Sequence, residues 1–70
     1  MNADKADIID YFLDGKEDKA KQMIRDLINE DMGFEGMGLA TGLHSKSIHR
    51  MLSARGNPTV RNLFLILRNL

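Results

Sequence analysis

Apolar residues recur along this chain at helical intervals, and no stretch alternates apolar and polar as a strand would. Glycines mark the breaks. In "DKADIIDYFLDG", Ile8, Ile9, Phe12 and Leu13 fall on one side, and Gly15 is placed to close the helix as a C-terminal cap. The clearest helix is "KEDKAKQMIRDLINEDMG". There Ala20, Met23, Ile24, Leu27 and Ile28 draw one stripe at i, i+3, i+4, i+7 and i+8, and the charges read as a solvated face. Glu17 and Asp18 suit the positive end of the helix dipole, Glu30 and Asp31 sit at the unfavourable end, and Gly33 is the stop. A short third helix, "FEGMGLATG", keeps Gly36 and Gly38. Each costs roughly 1 kcal/mol against alanine, which suits a helix approached closely by a neighbour.

Gly42 then breaks the chain, and a fourth helix is predicted from Ser45 to Ala54, with Leu43 packed ahead of it and Ile48, Met51 and Leu52 along one side. "SARGNP" is a loop, with Asn57 as N-cap and Pro58 as first residue of the last helix, "TVRNLFLILRNL". Val60, Leu63, Phe64, Leu67 and Leu70 form its inner stripe. Leu65 and Ile66 extend the apolar surface sideways, beyond what a small bundle needs, and are expected to face a second subunit. Met23, Met32, Met37 and Met51, at helical spacing, read as core rather than as an adaptable binding groove.

The pattern predicts an all-α fold, a small bundle of about five helices in one domain spanning residues 1–70, with an N-terminal helix over 1–15. A core this small rarely supplies more than about 3–5 kcal/mol, so a partner surface is plausible. The 43% hydrophobic share excludes a disordered tail. The longest apolar run, Leu63 to Leu67, is too short to span a bilayer, and the acidic N-terminus does not read as a secretory signal. With no cysteine there is no disulfide or thiolate chemistry, and a cytoplasmic setting is expected.

Formal charge sums to zero, but unevenly. Residues 1–34 carry five Lys/Arg and nine Asp/Glu, a net of −4; residues 35–70 carry five Lys/Arg and only Glu35, a net of +4. A basic half free of further carboxylates suggests that one face meets an anion such as nucleic acid. Enzymatic chemistry finds little support. His44 and His49 lie on different helical faces without a Cys or third His, so no metal or other cofactor is expected. His49 has no nucleophile or carboxylate partner in its half apart from Glu35. The pairs Asp7/Asp10 and Glu17/Asp18 sit among lysines on a charged face rather than in a pocket.

Residues 34–54 meet the demands of a helix-turn-helix. Gly38 is a small residue where two helices cross, and Gly42 tolerates the positive φ of the turn. Leu43, Ile48 and Met51 face inward, leaving Ser45, Lys46, Ser47, His49 and Arg50 outward, all able to hydrogen-bond and none acidic. Spacing of this kind also occurs in ordinary helical hairpins.

From about residue 20 to Leu70 the chain resembles phage-repressor-like helix-turn-helix regulators, and more narrowly the antidote (antitoxin) proteins of bacterial addiction modules. The resemblance is carried by "IRDLIN", "GFE", "TG", "SKSIHRMLSARGNPTVRNL" and the hydrophobic end "LFLILRNL". Relatives often carry Ala where Gly38 sits and Pro where His44 sits, and many extend further at the C-terminus. The resemblance implies that Ser45, Lys46 and Arg50, with His49 beside them, touch bases, and that Ser47 donates to a phosphate. It further implies that Arg55, Gly56, Asn57 and the first amides of the last helix, at Thr59 and Val60, clasp the DNA backbone. The expectation is a homodimeric, operator-binding regulator, the autorepressor of a toxin–antitoxin operon, and not an enzyme. Its partners would be double-stranded DNA and a possible cognate toxin, with no membrane. The competing expectation is a toxin-binding helical bundle without DNA binding.

Overall fold

The computed structural model describes residues 5–70; residues 1–4, the first part of the N-terminal helix expected over 1–15, lie outside them. Five helices follow one another: α1 (Lys5–Leu13), α2 (Glu17–Glu30), α3 (Gly33–Thr41), α4 (Ser45–Met51) and α5 (Val60–Arg68). No strand occurs among the described residues. α1 lies against α2, α2 against α3, and α3 touches both α4 and α5. The Cα radius of gyration, 11.0 Å, matches the roughly 11 Å of a compact chain of this length.

One core joins all five helices. Ile8 of α1, Ala20, Ile24 and Ile28 of α2, Met37 of α3, Ile48 of α4 and Ile66 of α5 are fully buried, with Leu52 just past α4. The stripe of α2 is as the spacing predicts, with Met23 and Leu27 at its margins. All four of the helically spaced methionines join the core, Met37 at its centre. Left-handed glycines separate the helices where expected: Gly15 has φ +77° and Gly33 +72°.

Several faces turn differently from the sequence reading. In α1 the inward residues are Ile8, Tyr11 and Phe12, while Ile9 and Leu13, about 100° further round the helix, are 40% and 79% exposed. In α5 the buried stripe is Leu63, Ile66, Leu67 and Leu70, again at i, i+3, i+4 and i+7. Ile66, expected with Leu65 at a subunit interface, is therefore core of its own chain, and Leu65 is half-buried. Val60 and Phe64, expected inside, are 69% and 47% exposed. α5 is apolar over so much of its circumference that two stripes compete. The one that lets Ile66 meet the core wins.

Two boundaries move for a shared reason. α4 ends at Met51, not Ala54, and α5 opens at Val60 with Thr59 as N-cap, not Asn57. The chain between them folds back onto the end of α4. A Cβ on Gly56 would lie 2.0 Å from the Arg50 carbonyl oxygen and 2.5 Å from that of Met51. Only a residue without a side chain fits, and the turn it permits displaces both helix ends. Thr59 then caps α5, its Oγ1 accepting from the Asn62 amide at 3.1 Å.

Lys21 corrects the reading of α2's charges as a solvated face. Its ammonium is buried and donates to the carbonyls of Ser53 (2.9 Å), Ala54 (3.2 Å) and Gly56 (3.0 Å). Beside it, Arg25 donates to the Leu52 carbonyl. Two cations of α2 thus satisfy the carbonyls left over where α4 ends, the groups a helix terminus otherwise leaves to water.

Candidate nucleic-acid interface

α3 and α4 are joined by Gly42, Leu43 and His44. Gly42 is left-handed at φ +77°, and its amide donates back to the Gly38 carbonyl at 2.8 Å, closing α3. Thr41 braces the same turn: its hydroxyl donates to the Met37 carbonyl (2.8 Å) and accepts from the Leu43 amide (3.2 Å). Gly38 lies where the chain crosses over it, since a Cβ there would come within 2.8 Å of the Leu43 carbonyl oxygen. The small residue and the turn glycine therefore stand where the spacing predicts.

His44 caps α4. Its Nδ1 accepts from the Lys46 amide at 3.3 Å, and its carbonyl accepts from the Ile48 amide at 3.0 Å. A histidine in this role gives no motif to read, and the sequence reading missed it. Ile48 is fully buried and fixes the rotation of α4 about its axis. His49, Lys46 and Arg50 then share one exposed arc, about 100° wide by helical geometry. Ser45 and Ser47 flank it, half-buried.

A second unforeseen contact orders this arc. The rings of His49 and Phe34 stack with centroids 3.7 Å apart and planes 16° from parallel. Phe34 lies in the first turn of α3, fifteen residues earlier in the chain, so α3 holds one face of the imidazole while the residue stays exposed. That leaves His49 its ring edge and its other face for contacts.

Of the other site residues inferred from sequence, Arg55, Asn57 and Thr59 are exposed, on the loop that Lys21 and Arg25 hold from beneath. The Thr59 hydroxyl is already engaged as the α5 cap. Ser53 tightens the end of α4, its hydroxyl donating to the Arg50 carbonyl at 2.7 Å. The arc and the loop carry Lys46, Arg50 and Arg55, with no carboxylate after Glu35. Glu35 itself is exposed and borders a shallow groove with Leu39, His44 and Ser45, so the positive field weakens toward α3. Among the described residues no group of three His, Cys, Asp or Glu could hold a metal ion, and no helix is long and apolar enough to cross a membrane.

A scan against family models finds no match, and searches of curated proteins and of solved structures find none.

Proposed function

We propose that the chain is a sequence-specific double-stranded DNA-binding regulator of transcription, with α3, the Gly42 turn and α4 as its helix-turn-helix and α4 as the reading helix. The observation that carries this reading is the exposed arc of Lys46, His49 and Arg50 on a helix whose rotation is fixed by buried Ile48. Arg50 and Lys46 would donate to guanine O6 and N7 in the major groove, each good pair contributing about 1–3 kcal/mol of discrimination. Ser45 would reach an adjacent base edge, Ser47 a phosphate, and His49 either through its ring edge. Arg55, Asn57 and the free backbone amides at the start of α5 would lie along the phosphate backbone and set the register. Such a protein acts as a homodimer on two half-sites about 34 Å apart, in the cytoplasm. The resemblance to addiction-module antidotes makes its own toxin–antitoxin operon the proposed target.

Gel-shift titration on duplexes from upstream of its own reading frame tests this. Arg50→Ala and Lys46→Ala should each weaken binding by about 5- to 150-fold, the range of one base contact. Arg55→Ala should weaken it uniformly and lower the salt slope by about one. Lys19→Ala should change nothing, because that ammonium sits over the Tyr11 ring, 4.9 Å from its centroid, on the α1–α2 side. Damage from Lys19→Ala alone, or no duplex binding at low salt, overturns the reading.

One observation favours a second reading, a toxin-gripping bundle that does not bind DNA. Leu39 of α3 is 89% exposed at the edge of the α3–α4 groove, where a protein partner would cover it better than a nucleic acid would.

A further inference from the structure

Two exposed edges of this molecule match each other in spacing and oppose each other in charge. On α5, Val60, Phe64, Arg68 and Arg61 are all exposed and fill one arc of about 100°. On α1, Ile9, Leu13 and Asp10 are exposed and fill a similar arc of about 100°. Asp14 is also exposed, one residue beyond the helix end. Each edge presents two apolar side chains one turn apart with charges beside them: Asp10 and Asp14 on α1, with Lys5 one turn before Ile9, and Arg61 and Arg68 on α5.

We propose that the partner of this surface is a second copy of the chain, with α1 of one protomer lying along α5 of the other. The inference rests on the dimeric reading above and replaces its interface. A two-fold contact of α5 with α5 would set Arg61 and Arg68 against their own symmetry mates, and like charges across an interface are costly. The crossed pairing puts Asp10 and Asp14 opposite those arginines and apolar pair against apolar pair. Two-fold symmetry then forms the contact twice, because each residue pair recurs with the protomers exchanged. Each strip is only about 8–12 Å long at 1.5 Å per residue, so the dimer is expected to be weak, with a Kd in the micromolar range.

Sedimentation of the whole chain without DNA, from about 10 to 200 µM, tests the pairing. Wild type should form a dimer. Asp10→Lys/Asp14→Lys makes both edges basic, and Arg61→Glu/Arg68→Glu makes both acidic; each variant alone should dimerise at least tenfold more weakly. Mixed one to one, they should recover a dimer, since every basic edge then meets an acidic one. Recovery also shows that both variants are folded. A monomeric wild type, variants that dimerise as well as wild type, or a mixture no better than its components each overturn the proposal. Because the readout is association without DNA, a dimer that binds no operator overturns the DNA reading alone. Operator binding by a monomer overturns this contact alone.

Discussion

Replacing Gly56 by alanine should remove a large part of this chain's stability. Gly56 is not in the left-handed region, so the demand at this position is for space. The added Cβ would sit 2.0 Å from one carbonyl oxygen, 2.5 Å from a second and 2.7 Å from the Met51 carbonyl carbon. Ordinary contact needs roughly 3.5 Å, so the loop must lift by more than an ångström. It cannot lift and keep Lys21 on the three carbonyls of Ser53, Ala54 and Gly56. A hydrogen bond from a charged donor contributes about 1.5–3 kcal/mol. Losing one or two, with the residual strain, gives a cost of about 3–5 kcal/mol. A domain of this length has a total stability of about 3.5–10 kcal/mol. Thermal melts by circular dichroism should show Tm lower by at least about 12 °C, at 4–8 °C per kcal/mol. Asn57→Ala, at the exposed neighbouring position, should stay within a few degrees of wild type. A Gly56→Ala protein melting within about 3 °C of wild type would refute the packing argument.

Further outcomes at three positions can be read from urea denaturation. Lys21→Met should cost about 2–4 kcal/mol, because three partly buried carbonyls lose one charged donor together. Asp18→Asn should cost under about 0.5 kcal/mol, since Asp18 is 84% exposed and 3.8 Å from the ammonium. At Gly42, where no atom lies within 4 Å of an added Cβ, valine should cost about 1–3 kcal/mol through backbone strain alone. Asparagine, which tolerates the left-handed region, should recover part of that loss.

Local rules made much of the fold legible. The α2 stripe needed only its own spacing, and Gly42 and Gly38 announced a turn and a crossing because each answers to a neighbour a few residues away. α5 was harder. Val60, Leu63, Phe64, Leu65, Ile66 and Leu67 are apolar around so much of the helix that its rotation was decided by the other helices. The start of α5 was misplaced because Asn57 before Pro58 has the local signature of a cap, while a contact of Gly56 with α4 moves the start to Thr59. Lys21 and Phe34 were unreadable for another reason. Lys21 bonds backbone groups 32 to 35 residues away, which carry no side-chain signature. The Phe34–His49 stack joins two helices at a distance that only the completed packing sets. Of the candidate site, residue identities came from sequence; the orientation of His49 and the support beneath Arg55 came from the fold.

The inward turn of Lys21 and Arg25 also changes what the molecule looks like from afar. Counted by sequence, residues 1–34 carry nine carboxylates against five cations. Lys21 and Arg25 keep their charge but hold it against the carbonyls of the α4–α5 loop, beside Arg55 rather than out among the carboxylates of their own half. Holding positive charge on the basic side enlarges the dipole moment that the uneven sequence charge creates. In the field of a polyanion such a particle feels a torque before any contact is made, with its carboxylate-rich end driven outward and its arginine-rich end inward. Collisions would then arrive already sorted by orientation, and raising the ionic strength would slow association by scrambling that alignment.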